Sequence, residues 1–233
     1  MVYRLISHFL SHSVAPRLAR CLLCGDSATG NGLCAPCSAE LPYLHDACGT
    51  CALPLPRGAT SCPRCLQRPP SFSSASAAWH YAFPIGQLVQ HFKYRGDLAA
   101  GHSLARLAAV AIEPRDRRPD LLVPIPLHWR RYWSRGYNQA QLIAVEFGRQ
   151  WQLPVHSRLL RKRSATETQL QLKRAQRLRN LSQSFAVGEA VAGLHIGLVD
   201  DVITTGATLE AAARTLLAAG AAQVSAYALA RTP

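Results

Sequence analysis

Apolar residues along this chain change their spacing near residue 75. Upstream they are scattered among cysteines and prolines. Downstream, short β-favouring runs alternate with helical stretches. Ala78 to Phe83 reads as a strand, Gln87 to Phe92 as a short helix and Leu98 to Ile112 as an Ala/Leu-rich helix. Lys93-Tyr94-Arg95-Gly96-Asp97 links those two helices. Leu121 to Ile125 is a further strand candidate, and Tyr137 to Trp151 an amphipathic helix. Leu194 to Val199 suits a buried strand, Leu209 to Ala219 a helix closed by Gly220, and Gln223 to Ala230 a last strand. Strands alternating with helices predict an α/β domain built on a parallel sheet.

The apolar stretch from Ala211 to Ala230 is long enough to be weighed as a membrane span. Arg214 and Gln223 interrupt it and Gly220 divides it, so a helix followed by a strand fits better. Near the start, Arg4, Ser7, His8, Ser11 and His12 break up the apolar residues of Met1 to Leu10, leaving no core for a secretory signal. A cytoplasmic location with no membrane span is expected.

Most informative is the junction between the strand at 194–199 and the helix at 209. Asp200 and Asp201 come where the strand should end, and Thr204-Thr205-Gly206-Ala207-Thr208 leads into the helix. Unpaired N–H groups at a helix start, with the helix dipole, favour an anion. Gly206 lets backbone approach it, and threonine hydroxyls can donate to phosphate oxygens. Paired carboxylates repel phosphate but suit ribose hydroxyls beside it, or a metal ion shared with the ligand. A receiver-like α/β domain also ends a strand in acids, but leaves the small-residue turn unexplained. Neither the Walker loop nor the dinucleotide fingerprint is present.

All eight cysteines precede residue 66, as Cys21/Cys24, Cys34/Cys37, Cys48/Cys51 and Cys62/Cys65. Two residues between thiolates form a knuckle that grips one ion, and two knuckles complete a tetrahedral S4 site suited to zinc. Eight ligands amount to two structural Zn²⁺ ions. Sequential pairing puts Cys21, Cys24, Cys34 and Cys37 on one ion and the rest on the other, with a crossed pairing also compatible with the spacing. Disulfides and an iron–sulfur cluster fit the knuckle spacing and a reducing compartment less well. Prolines and serines from Pro54 to Ser76 mark the exit, giving an N-terminal module over 1–72 and a second domain over 73–233.

Composition adds one constraint. At 233 residues, 48% hydrophobic and 17% charged, the chain is globular. Its net charge of +13 favours a polyanionic partner: nucleic acid, an anionic membrane surface or a polyphosphate. Val123-Pro124-Ile125-Pro126-Leu127 leads through His128 and Trp129 into Arg130 and Arg131, a rigid turn with planar cations that suits pyrophosphate. One X–Pro bond there is a candidate for cis. Eight Lys/Arg and one acid between 158 and 179 mark a functional loop or lid. Trp129, Tyr132, Trp133 and Tyr137 interleave with Arg130, Arg131 and Arg135, which fits stacking on single-stranded bases as well as packing.

Asp-Asp-x-x-Thr-Thr-Gly-x-Thr resembles the phosphoribosyl-pyrophosphate (PRPP) loop of type I phosphoribosyltransferases. With Lys-Tyr-x-Gly-Asp, Val-Pro-Ile-Pro-Leu, Arg-Gly-Tyr-Asn-Gln and the cysteine module, the chain is similar, from about Cys21 to Thr232, to the competence protein F family (ComF, also described as GntX-like). That resemblance implies a double zinc ribbon ahead of a phosphoribosyltransferase-like domain. It makes Asp200 and Asp201 the catalytic pair on the ribose 2′- and 3′-hydroxyls, and Thr204, Thr205, Gly206, Ala207 and Thr208 the phosphate turn. Pro126, Leu127, Arg130, Arg131 and Arg135 fall to the pyrophosphate side, and Gln169 and Arg177 to the flexible loop. Mg²⁺ enters with PRPP. The implied role is in natural competence, handling incoming single-stranded DNA, with competence-machinery proteins as possible partners. Phosphoribosyl transfer, a non-catalytic nucleic-acid-binding scaffold and nucleobase salvage all remain open.

Overall fold

A computed structural model describes residues 19–28, 30–114, 118–127, 132–133, 135–162 and 185–233. Among the described residues two short helices lie in the cysteine-rich part, α1 (Ala35–Ala39) and α2 (Pro63–Gln67), each behind a cysteine N-cap and with a proline at its second or first position. Then follow β1 (Ser74–His80), α3 (Ile85–Tyr94), α4 (Leu98–Ala111), β2 (Leu121–Pro124), α5 (Gln139–Trp151), β3 (Leu160–Lys162), β4 (Phe185–Val187), β5 (His195–Ile203), α6 (Ala207–Ala218) and β6 (Gln223–Arg231). The main sheet has the order β1-β6-β5-β2 and every neighbouring pair is parallel. β3 and β4 form a separate antiparallel pair.

Parallel strands need covered faces, and apolar side chains supply the cover on both sides. One layer joins Phe92, Leu104, Ile143, Phe147 and Trp151 of α3, α4 and α5 to Val199, Tyr227 and Leu229. The other packs Leu209, Ala212, Ala213 and Leu216 of α6 against Ile196, Leu198, Val224 and Ala226. Asp97 and Asn138 cap α4 and α5 by accepting from Ala100 N and Ala140 N, which fixes where each helix begins.

The edges are closed by other parts of the chain. Along β1, Leu44 N donates to Ala78 O (2.9 Å), His80 N to Pro42 O (2.9 Å) and Ala75 N to Gly49 O (3.4 Å). The cysteine-rich segment therefore takes up main-chain groups that an edge strand would leave free. On the β2 side, Leu122 N donates to Pro154 O and His156 N to Leu122 O. β1 begins four residues earlier than the hydrophobic pattern marks, because Ser74 to Ala77 pair with β6 despite their small side chains. The cis X–Pro bond is Phe83–Pro84; among the described residues none is cis near Pro124 or Pro126.

Helices α3 and α4 meet closely at Gly101, where an added Cβ would lie 2.3 Å from the Phe92 ring. Alanine normally stabilises a helix interior over glycine by about 1 kcal/mol. Here the clash reverses the sign. Gly101→Ala should lower stability by about 1–3 kcal/mol in chemical denaturation, the usual cost of overpacking. A midpoint equal to or above wild type would show that the ring moves aside freely.

Candidate functional site

β5 loses one neighbour before the other. On the β2 side the pairing stops at Pro124 against Val199, where Ile125 N donates to Val199 O at 2.8 Å. On the β6 side it continues, Asp200 opposite Ala228 and Ile203 opposite Arg231. Asp200 and Asp201 therefore lie within the strand, not beyond its end at Val199 as the pattern implies. Aspartate disfavours strands, but the β6 main chain offers bonding partners that outweigh that preference.

The two acids are unlike each other. Asp201 pairs with Lys93 Nζ at 2.9 Å. The Asp200 carboxylate accepts the Asp201 N–H at 2.9 Å. Burial, and then the charge of Asp201, push the Asp200 carboxyl up to about 7, with Lys93 and Lys162 opposing the rise. Asp200 thus holds a proton more tightly than a free carboxyl does.

The turn follows at once. Thr204 and Thr205 are exposed, Gly206 has φ 77°, and α6 begins at Ala207. Only glycine adopts that backbone at low cost. Ala207 N donates to Thr205 Oγ1 at 3.3 Å. Thr208 stands in the first helical turn with Ala207.

A second cluster borders the acids. The Arg135 guanidinium lies 4.9 Å from the Tyr94 ring centroid and donates to Gln139 Oε1 at 3.2 Å. Tyr137 donates its hydroxyl hydrogen bond to Phe92 O, and the two rings stack with centroids 5.6 Å apart. Asn138 both caps α5 and donates from Nδ2 to Ile125 O at 3.0 Å, tying the helix start to the segment carrying half-buried Pro126 and Leu127. Lys-Tyr-x-Gly-Asp and Arg-Gly-Tyr-Asn-Gln are thereby one structural unit. Arg130, Arg131, Gln169 and Arg177 lie outside the described residues.

Three charged residues here carry no role in the sequence pattern, Lys93, Arg64 and Arg231, while Lys162, in the basic stretch expected to form a loop, ends strand β3. Arg64 donates to Thr205 O at 3.1 Å. Arg231 is buried and donates to carbonyls of Ile203, Thr204 and Cys51. Lys93 sits in a motif that is visible as a string, but its partner is far away in sequence. Arg231 is a plain strand-end arginine until β6 is aligned with β5.

The cysteines gather as Cys21, Cys24, Cys34 and Cys37, and as Cys48, Cys51, Cys62 and Cys65, with all sulfurs of a set within 4.8 Å of one another. That is the sequential pairing; the crossed one has no counterpart among the described residues. Cys62 N and Cys65 N point at Cys48 Sγ and Cys62 Sγ, each at 3.4 Å, as knuckle amides do toward thiolates. Burial opposes ionisation of Cys21 and Cys48, but neighbouring backbone N–H groups outweigh it and bring each thiol down to about 6. Neighbouring sulfurs raise Cys37, and burial followed by neighbouring sulfurs raises Cys65. One thiolate among crowded thiols is relieved by a divalent cation, and four sulfur donors fit Zn²⁺. Both sites are closed, so the ion's contribution would be structural.

A cysteine-paired module on the edge of a parallel sheet with helices on both faces defines a zinc ribbon joined to a phosphoribosyltransferase-fold domain. The family description "double zinc ribbon domain" matches residues 10–66 and "phosphoribosyl transferase domain" matches 135–233. The chain is 32% identical to competence protein F of Haemophilus influenzae over 225 residues, 91% of this chain and 96% of that one. It is 34% identical to the DNA utilization protein YhgH of Escherichia coli K12 over 206 residues, 86% and 91% of the two chains. Against competence protein ComFC of Bacillus subtilis identity is 35% over 158 residues, 67% and 63%. The protein belongs to the competence protein F family. No helix among the described residues is long and apolar enough to cross a membrane.

Two outcomes follow from the geometry. Because the folded state holds a proton on Asp200 more tightly than the unfolded chain does, the ligand-free protein should lose stability as pH rises from the ordinary carboxylate range to about 7. Asp200→Asn removes that slope, so melting curves of the two proteins should diverge in its favour between about pH 4 and about pH 7. Parallel curves would show that Asp200 is ionised throughout. Cys34→Ser should leave about one zinc per chain by metal analysis, since the two sets are separate. Loss of both ions would show that the sets depend on one another.

Proposed function

We propose that this protein binds PRPP as its Mg²⁺ complex and serves natural competence, where single-stranded DNA is taken up and handled. The observation that carries the ligand is the continuous run from Asp200 and Asp201, on the open flank of β5, into Thr204–Thr208 at the start of α6. Carboxylates accept from vicinal ribose hydroxyls, while amide and hydroxyl donors meet the 5′-phosphate. Pro126 and Leu127, with Arg130, Arg131 and Arg135, take the pyrophosphate side, and the family resemblance assigns Gln169 and Arg177 to the same ligand. Oxygen donors and phosphate charge suit Mg²⁺, which would neutralise the pyrophosphate when bound.

Within this reading Lys93 holds the Asp201 carboxylate in place before the ligand arrives. If transfer occurs, the chain's contribution is to position the ribose, neutralise the leaving pyrophosphate and exclude water. No side chain in the described site is placed as a general base toward an identifiable acceptor. The competence role comes from the family relationship. It is supported by the +13 charge and by exposed aromatics beside arginine: Tyr94 at 72%, Tyr132 at 50% and Trp133 at 81% exposure.

Those aromatics favour one second reading, a non-catalytic scaffold in which PRPP regulates DNA binding. Titration calorimetry of the zinc-loaded protein with PRPP and Mg²⁺, with and without a single-stranded oligonucleotide, separates the two. Asp200→Asn with Asp201→Asn should weaken PRPP by about a hundredfold, the scale of losing two charged hydrogen-bond acceptors. Unchanged affinity would move the ligand elsewhere. Tyr94→Ala with Trp133→Ala should weaken single-stranded DNA by about tenfold or more. The salt slope should remain near −0.7 per phosphate contact. Turnover of PRPP to pyrophosphate without DNA would decide for the enzyme.

A further inference from the structure

Arg231 is a buried cation that the ligand site itself does not use. Its Nε donates to Cys51 O at 3.2 Å. Its Nη1 donates to Ile203 O at 3.2 Å, to Thr204 O, and to Thr232 O at 2.6 Å. Arg64, on the knuckle between Cys62 and Cys65, donates to Thr205 O at 3.1 Å. Ser71, just past that knuckle, donates from N and Oγ to Glu210 at 2.7 and 2.8 Å, in the first turn of α6. Between these contacts lies a cleft of about 600 Å³ walled by Cys51, Cys65, Arg64, Phe72, Thr205 and Glu210.

The carbonyls of three successive residues, Ile203, Thr204 and Thr205, are thus held by guanidinium groups on one side of the turn. A planar trans peptide points its C=O and N–H in opposite directions. Fixing those carbonyls therefore aims the N–H groups of Thr204, Thr205 and Gly206 to the other side. A positive charge on each carbonyl also strengthens the N–H of the same unit as a donor. Cys51 and Arg64 hold their places because Cys48, Cys51, Cys62 and Cys65 converge on one point.

We propose that this second four-cysteine site braces the turn at 204–208 for a phosphate, with Arg231 and Arg64 as positioning residues. Metal at Cys48/Cys51/Cys62/Cys65 then governs affinity for a ribose phosphate, although no cysteine touches it. The first site is built elsewhere: its segment meets α4, where Ser103 donates to Asn31 O at 2.5 Å and Arg106 to Gly30 O at 3.3 Å. Metal there should leave the turn unchanged. The proposal rests on the PRPP reading for its ligand, but the ordering of the turn can be measured without any ligand.

The test uses the full zinc-loaded chain and four variants: Cys62→Ser, Cys24→Ser, Arg231→Gln and Arg64→Ala. Hydrogen exchange of amides 204–210 is followed without ligand, and PRPP with Mg²⁺ is titrated by calorimetry. Cys62→Ser and Arg231→Gln should speed exchange in the turn and weaken PRPP by about tenfold each, the scale of one charged hydrogen bond. Arg64→Ala, an exposed change that leaves the core intact, should act in the same direction by about threefold. Cys24→Ser should change neither quantity. Equal effects from Cys24→Ser and Cys62→Ser would overturn the proposal, as would wild-type exchange in Arg231→Gln and Arg64→Ala. Should wild type bind no PRPP, the PRPP reading fails, and the exchange results alone decide the brace.

Discussion

The parallel ladder between β5 and β6 is the constraint on which the remainder hangs. Its register sets Asp200 against Ala228 and Ile203 against Arg231. The same alignment carries the carboxylates past the end of β2, delivers the chain to the turn before α6, and brings Arg231 under that turn. A one-residue slip would reverse which side chains face each helical layer and remove the arginine from the carbonyls. Burial of Val199, Tyr227 and Leu229 in one layer, and of Ile196, Leu198, Ala226 and Ala228 in the other, specifies the register. Hydrophobic patterning thereby positions polar chemistry.

Charge in this molecule is organised more by burial than by number. Asp200 and Asp201 share a strand, yet one meets Lys93 and the other is embedded enough to approach neutrality. A second buried acid, Glu146, is met by Arg149 at 2.6 Å and lies near His102 and Arg106, joining α4 to α5. Removing one partner from such a buried cluster costs more than any exposed ion pair contributes. The overall positive charge belongs to partners and encounter rates; these few buried groups belong to the fold.

The ribbon is bonded into the larger domain and is no appended bead. It covers the β1 edge through main-chain bonds and reaches the turn through Arg64 and Ser71. A domain boundary drawn at residue 72 from prolines and serines marks a change of composition, and Ser73, the first residue beyond it, donates from N to Val224 O. Small cysteine modules have too little core to be rigid without metal, so a domain leaning on one inherits a dependence on zinc.

Local chemistry was legible in the residues alone. Cysteine spacing announced the two S4 sets because a knuckle needs only four consecutive residues. The acid pair and small-residue turn announced a junction that suits an anion, because strand, turn and helix start are contiguous. Hydrophobic period marked the helices and main-sheet strands of the α/β domain to within a few residues, most loosely at β1 and β5, but missed the short β3–β4 pair, whose Arg161 and Lys162 fall in the stretch the charge pattern marks as a loop. What needed tertiary structure were the long-range partners: Lys93 on Asp201, Arg231 on Ile203 and Thr204, Arg64 on Thr205, and the extension of β5 through its acids. Each depends on which strand lies beside which, and a single lysine or arginine in a basic chain carries no mark of its partner. Packing of apolar faces makes that choice, and it also decided that the cysteines pair in sequence order.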